Sequence, residues 1–204
     1  MSLGEADTRA KLIDPALHNC GWTEDLIRRE ETDRGIDVIE GKPRRRERGR
    51  IDYLLRIKVN LNSQPVAIAL IEAKKEKDPP DKGLEQAKKY ARLNHVPFVF
   101  SSNGHLYVEY DNLTGKTSRP MPLTSFPALA DLRRRYESYL GVPLDSEKAM
   151  AFLVAYPGGE ASRLYYQDAA IRAVLETIAR GEKRALLFLA TGSGKTFIAV
   201  HLLK

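Results

Sequence analysis

Cysteine is nearly absent from this chain of 204 residues, with Cys20 its single example. A disulfide framework and a cysteine-based zinc site are both excluded. Histidine is scarce too: four are present, none paired at the spacing of metal ligands. No apolar run approaches the length that crosses a bilayer, and the N-terminus, with Glu5 and Asp7, lacks the apolar core of a secretory signal. The expectation is a protein of the reducing, cytoplasmic compartment with no membrane partner. Internal repeats and low-complexity tracts are also missing.

Positive charge is in clear excess. The formal net charge is +6 and the isoelectric point about 9.4, a balance that favours a polyanionic partner. The excess is local. Residues 40–58 hold eight Lys/Arg against three acids, and residues 74–92 hold seven against four. Within the first lies the run Arg44-Arg45-Arg46-Glu47-Arg48, read as a loop that touches a phosphate backbone.

Both basic segments flank a pair of apolar, strand-like stretches, Arg50-Ile51-Asp52-Tyr53-Leu54-Leu55 and Ala69-Leu70-Ile71-Glu72-Ala73-Lys74. The polar stretch Asn60-Leu61-Asn62-Ser63-Gln64-Pro65 between them is a turn signal. Folding the chain about Asn62 makes Asp52 and Glu72 direct cross-strand neighbours in an antiparallel hairpin, and Lys74 falls on the same face as Glu72. Like charges placed opposite one another repel, so a cation is expected between them. Hydrolysis of a phosphodiester needs charge neutralised on the phosphoryl oxygens and a nucleophilic water. Mg²⁺ held by carboxylates with open positions serves both needs. Asp52 and Glu72 are the candidate ligands, with the carbonyl of Ala73 a third, and Lys74 is placed to orient or deprotonate the water.

Around this hairpin the pattern alternates between helix and strand. Residues 6–20 carry Ala10, Ile13, Leu17 and Cys20 at helical spacing, with Pro15 predicting a kink or a start and Gly21 a stop. Trp22 is expected to anchor a core. Two extended segments, near Leu26–Glu30 and Ile36–Glu40, are separated by Asp33-Arg34-Gly35. After Asp78-Pro79-Pro80-Asp81 the spacing of Leu84, Ala87 and Ala91 predicts a helix over Lys82–Asn94. Pro97–Ser101 reads as a buried strand, Asn103-Gly104 as a tight turn and His105–Tyr110 as the returning strand. Leu129–Leu140 reads as a helix ending at Gly141. The expected fold class is therefore α/β, a mixed sheet flanked by helices.

Asp52 with Glu72-Ala73-Lys74 resembles the PD-(D/E)xK nuclease core, and Gln86-Ala87-Lys88-Lys89-Tyr90 resembles the Q-x-x-x-Y element of its recombination-nuclease and type I restriction branches. Residue 51 is Ile where the motif's name has Pro. The resemblance implies a restriction-endonuclease-like sheet and a DNA-facing role for Gln86 and Tyr90, which share a helix face at i, i+4. It also implies an additional upstream acid, for which Glu30 and Glu31 are the candidates.

A second pattern lies near the end of the chain. Pro143, Pro157, Gly158 and Gly159 interrupt periodicity; beyond them Tyr166–Arg180 reads as a helix and Ala185–Leu189 as a short buried strand. Ala190-Thr191-Gly192-Ser193-Gly194-Lys195-Thr196 then reads as a phosphate-binding loop opening a helix. Backbone amides of Gly192, Ser193 and Gly194 would cradle phosphates, with Lys195 on the β/γ oxygens and Thr196 on Mg²⁺. Leu189 stands where the general loop has its first Gly, and the form instead resembles superfamily two helicases and translocases. Gln167, near Arg163 and Tyr166, resembles their adenine-reading element. The sequence stops eight residues after Thr196, before the remaining ATPase motifs, so this segment is expected to begin a truncated RecA-like domain of a longer parent that uses ATP.

Together the two patterns resemble the restriction (R) subunit of type I restriction-modification enzymes. The expected division is an endonuclease domain over 1–142, a linker over 143–161 and the start of the helicase domain over 162–204. The resemblance implies double-stranded DNA as substrate, methylase and specificity subunits as partners, and cleavage after translocation. A DNA-repair helicase-nuclease, and a non-catalytic DNA-binding or assembly module, remain the alternatives.

Overall fold

The computed structural model describes residues 2–33, 36–39, 42–45, 49–59, 65–93, 95–147, 149, 165–189 and 191–202. The turn at Asn60–Gln64, Arg46, Glu47 and Arg48 of the basic run, Arg163, and most of the expected linker lie outside them.

The N-terminal helical pattern is realised in three pieces: α1 (Glu5–Thr8), a π-helical turn (Arg9–Ile13) and α2 (Asp14–Asn19). Pro15 stands in the first turn of α2, directly after the π-helical turn, so the expected kink or start appears as a change of helical winding. Ile13, Leu17 and Trp22 are fully buried, and the indole N–H donates to the Pro127 carbonyl at 3.2 Å. Trp22 is thus the core anchor the sequence suggests.

Seven strands form one sheet: β1 (Ile27–Asp33), β4 (Gly49–Ile57), β5 (Val66–Ala73), β6 (Phe98–Ser102), β7 (Leu106–Asp111) and β8 (Lys116–Thr117) in that order, with β9 (Met121–Pro122) also on β7. Strands β2 (Ile36–Ile39) and β3 (Lys42–Arg45) pair separately as a hairpin. All neighbours are antiparallel except β5 and β6, and α3 (Leu84–Leu93) makes the crossover that a parallel pair requires. The sheet is therefore mixed and flanked by helices, as expected.

Period-two alternation sends the strands' side chains to two cores. Leu70, Val99 and Val108 pack with Leu84, Ala87 and Ala91 of α3. Tyr53, Ile71, Phe98, Phe100 and Tyr107 pack on the other face with Ile13, Leu17, Trp22 and with Leu132, Tyr136 and Leu140 of α4 (Leu129–Leu140). Between β6 and β7 the Asn103 carboxamide closes the turn, accepting the N–H groups of His105 and Leu106 at 3.1 and 2.9 Å. Gly104, at φ +90°, is held against Thr8 and Leu12, where a Cβ would come within 2.8 Å of both side chains.

Helix α5 (Tyr165–Ala179) lies against this sheet through a buried polar cluster. Arg172 donates to Glu176 at 2.8 Å, to the Tyr136 hydroxyl at 3.1 Å and to the Ala67 carbonyl of β5. Glu176 also binds Tyr136 and, at 2.8 Å, His95 just after α3. Burial alone would raise the Glu176 carboxyl, but Arg172, His95 and Tyr136 draw it down to about 2. A short α6 (Lys195–Leu202) packs on α5 through Ile171 and Ile198.

The expected buried strand over Ala185–Leu189 is a correction. The segment has no strand assignment, and Leu186 and Phe188 are each 94% exposed. Leu187 and Leu189 turn toward α5 and α6, so the two-residue alternation holds. What fails is pairing: no described strand lies beside the segment, and an apolar pattern does not supply ladder partners.

Removing one partner from the Arg172–Glu176 pair strands a buried charge. Glu176→Leu is expected to lower stability by about 3–5 kcal/mol in urea unfolding, and adding Arg172→Met is expected to recover part of that loss.

Candidate active site

The register of β4 on β5 runs Tyr53 opposite Ile71 and Leu54 opposite Leu70, which sets Asp52 against Glu72 at the next position. On either side the row continues to Glu30 of β1 and Ser101 of β6, so three acids and a serine cross four strands in line. Asp52 and Glu72 are buried, at 6% and 3% exposure, whereas Glu30 is exposed at the rim. The pair forms at the expected register, which is reached through a one-residue shift between Leu55 and Arg56, beyond which Arg56 pairs with Ala67.

Each buried carboxylate has its own support. Asp52 Oδ2 accepts the N–H of Ala73 at 2.8 Å, and Oδ1 faces Arg9 Nη1 at 3.3 Å. Glu72 Oε1 accepts Lys74 Nζ at 2.8 Å, while Glu72 Oε2 is buried with no hydrogen-bond partner. Burial pushes the Glu72 carboxyl up to about 7 against the pull of Lys74, and Asp52 adds to the rise. Burial also raises Asp52, opposed by the Ala73 N–H and Arg9. On Lys74 burial acts downward, but the Glu72 hydrogen bond and neighbouring acids hold it above its ordinary value. Two buried carboxylates side by side, with one oxygen left unmatched, could accept a cation.

All five predicted catalytic residues line one open cleft of about 360 Å³: Asp52, Glu72, Lys74, Gln86 and Tyr90. Gln86 and Tyr90 reach it from α3, whose apolar side is buried under Leu84, Ala87 and Ala91. Ala73 stands beside Asp52 through its N–H. Glu5, Arg9 and Arg50 complete the lining, and sequence reasoning missed all three. Glu5 and Arg9 were detectable only as an i, i+4 pair on the first helix, a spacing too common to single out. Of the upstream acids, Glu30 is spent on Arg9 and Arg50, Glu31's side chain lies outside the described residues, and Glu5 is the acid in the cleft. Among the described residues no group of three or more His, Cys, Asp or Glu is arranged to hold a metal, so any cation would rest on Asp52, Glu72 and non-carboxylate donors.

Gly83 is the tightest point of the site. A Cβ there would come within 2.5 Å of Glu72 Cγ, 2.6 Å of Lys74 Cε and 2.9 Å of Ser101 Oγ. Its N–H donates to Ser101 Oγ at 3.1 Å, which fixes the chain before α3 beneath the carboxylate pair.

The second predicted site is also brought together. Gly192 and Gly194 have φ of +82° and +83°, and Lys195 begins α6 with Thr196 next. Gln167 of α5 donates to the Ser193 carbonyl at 3.1 Å, so its side chain lies on the loop itself. Lys195 Nζ donates to the Leu189 carbonyl at 2.9 Å. No described helix is long and apolar enough to cross a membrane.

Known proteins similar to this chain are subunits of restriction enzymes. A family profile described as "Type III restriction enzyme, res subunit" matches residues 161–204. The endonuclease subunit of the type I restriction enzyme EcoAI of Escherichia coli is 32% identical over 208 residues, covering 99% of this chain and 25% of that protein. The EcoKI endonuclease subunit of E. coli strain K12 is 24% identical over 255 residues, covering 100% of this chain and 21% of its own length. Among solved structures, a fragment of an HsdR subunit of a type I restriction enzyme from Vibrio vulnificus YJ016 superposes with a TM-score of 0.79 at 32% identity, covering 99% of this chain and 38% of that one. The homologues of this chain are thus HsdR endonuclease subunits of type I restriction enzymes, and it spans about a quarter of the length of the curated relatives it matches.

Two measurements follow. Between about pH 4.5 and pH 7 folded Glu72 keeps a proton that the unfolded chain has released, so stability of the metal-free protein is expected to fall as pH rises through that window. Glu72→Gln is expected to flatten that slope in urea titrations at pH 5 and 7. Gly83→Ala is expected to cost about 1–3 kcal/mol and to displace Glu72 and Lys74, visible as shifted side-chain resonances while the signals of α4 stay in place.

Proposed function

We propose that the cleft is the active site of a Mg²⁺-dependent DNA endonuclease of the PD-(D/E)xK type, within a subunit that cuts unmodified duplex DNA after ATP-driven translocation. The observation that carries this reading is the juxtaposition of buried Asp52 and Glu72, the unmatched Glu72 Oε2, and Lys74 bonded to the same carboxylate. The ion would be held by Asp52, Glu72 and the Ala73 carbonyl, and when bound it supplies Lewis acidity toward the scissile phosphate and its water.

The chain's own residues do the rest. Lys74 holds Glu72 in place and offers an ammonium to the water or to charge developing on the phosphoryl oxygens. Gln86 and Tyr90 reach into the cleft from α3 and present an amide and a phenol to the DNA backbone. Arg50 at the rim and the basic segments around the hairpin supply the sequence-independent attraction of a phosphate footprint. The homology of the chain to endonuclease subunits supports the assignment.

In this reading residues 1–142 are the nuclease domain, 143–161 a linker and 162–204 the opening of a helicase and translocase domain. Gly192, Ser193, Gly194, Lys195 and Thr196 would take the phosphates of ATP and its Mg²⁺, with Gln167 on the adenine. Because bound phosphate and the Leu189 carbonyl compete for Lys195, nucleotide binding would release the contact seen here. Methylase and specificity subunits are the proposed partners, and DNA sequence would be read by the latter.

The test uses the full-length subunit reassembled with its partners. Asp52→Ala and Lys74→Ala are each expected to abolish plasmid cleavage, by at least about a hundredfold, with ATP hydrolysis unchanged. Cleavage retained in both would overturn the site assignment.

A further inference from the structure

Two irregularities of the backbone converge on one side chain at the edge of the cleft. Arg9 opens the π-helical turn Arg9–Ile13, a kind of irregularity frequent at functional sites. Glu30 has a left-handed φ of +61° in the middle of β1, at the register position opposite Asp52. For a residue other than glycine that conformation costs on the order of 1 kcal/mol or more, and such strain gathers where function requires it. The result is a guanidinium clamped between two acids: Arg9 Nη1 lies 3.3 Å from Asp52 Oδ1 and Nη2 lies 3.2 Å from Glu30 Oε1. Its Nε is buried with no hydrogen-bond partner, so the clamp leaves one donor unmatched.

The allocation of Asp52's oxygens gives this clamp a consequence. Oδ2 is committed to the Ala73 N–H, which leaves Oδ1 as the oxygen available to a cation, and Arg9 already faces it. A divalent ion and a guanidinium cannot share that oxygen without strong repulsion at a few ångströms. An arginine released there carries a planar fork of donors, including the unmatched Nε, suited to the paired oxygens of a phosphate.

We propose that Arg9 is a displaceable counter-cation: it neutralises Asp52 and Glu30 in the metal-free protein, and on metal binding leaves Asp52 for a non-bridging phosphate oxygen of the DNA. This rests on the nuclease reading above and adds to it an exchange of partners at a residue that reading does not use. Cation and DNA then favour one another's binding, because each offers what the other's arrival leaves unpaired.

Calorimetric titration of the chain with Mn²⁺, and fluorescence anisotropy with a labelled duplex in Ca²⁺, test the exchange. Arg9→Gln is expected to bind Mn²⁺ about tenfold more tightly, since a competing charge is gone, and the duplex about tenfold more weakly. A merely structural arginine would weaken both. Arg9→Lys, which keeps the charge but not the fork, is expected to leave Mn²⁺ affinity within about twofold of the original and to bind the duplex severalfold more weakly. It carries the comparison if Arg9→Gln fails to fold by circular dichroism. Unchanged or weaker Mn²⁺ binding by folded Arg9→Gln, or unchanged duplex binding by either folded variant, would overturn the proposal while leaving the nuclease reading intact. Absence of Mn²⁺ binding in both the original and the variant would overturn the nuclease reading and this exchange together.

Discussion

Two carboxylates lie buried side by side, and most of the cleft can be understood as the means of tolerating them. Asp52 and Glu72 face each other because the β4–β5 register leaves them no choice, and burial makes each costly to ionise. The Ala73 N–H, Arg9 and Lys74 each take one of the oxygens, but Glu72 Oε2 remains unmatched. A core organised for stability alone would put apolar residues at these positions, since ions in a dry site seldom repay their desolvation. On the proposed reading the pair is a cation site, with Arg9 and Lys74 covering part of its charge in the metal-free protein.

The surrounding fold keeps that charge in place from beneath. Helix α3 follows directly from Gly83, whose missing side chain lets the backbone approach Glu72 and Lys74, and whose N–H is fixed by Ser101. The same helix carries Gln86 and Tyr90, so the residues proposed to meet DNA and those proposed to hold metal are set by one packing contact. On the opposite face α5 is fastened to β5 by Arg172 through the Ala67 carbonyl, five positions before Glu72. The helix that sets Gln167 on the Gly192–Thr196 loop is therefore tied to the strand that presents Glu72 to the cleft.

Much of this was legible in the sequence, and the boundary has a physical cause. Asp52, Glu72 and Lys74 could be aligned because strands alternate with period two, whereas the one-residue shift between Leu55 and Arg56 left no local mark. Gln86 and Tyr90 were singled out by resemblance to the Q-x-x-x-Y element, with helical spacing setting them on one face, and the loop at Gly192–Thr196 by its glycines. The limits of α4 agree residue for residue, because an apolar stripe and a terminal Gly141 are both local signals. Glu5, Arg9, Gly83 and Ser101 were not legible as parts of the site. They reach it through tertiary packing, and nothing in their immediate neighbours marks them. The segment Ala185–Leu189 erred the other way: its pattern gives correctly which residues face the helices, but a strand exists only where another strand can pair with it.

The row Glu30, Asp52, Glu72 and Ser101 runs across the strands rather than along one of them. Neighbouring strands in any sheet are held about 4.8 Å apart by their hydrogen bonds. The spacing of these charges is therefore graduated by the backbone ladder, much as marks are fixed on a ruler, and does not depend on the reach of flexible side chains. Shifting one carboxylate relative to the next would mean sliding a whole strand by two residues and turning out part of the core with it.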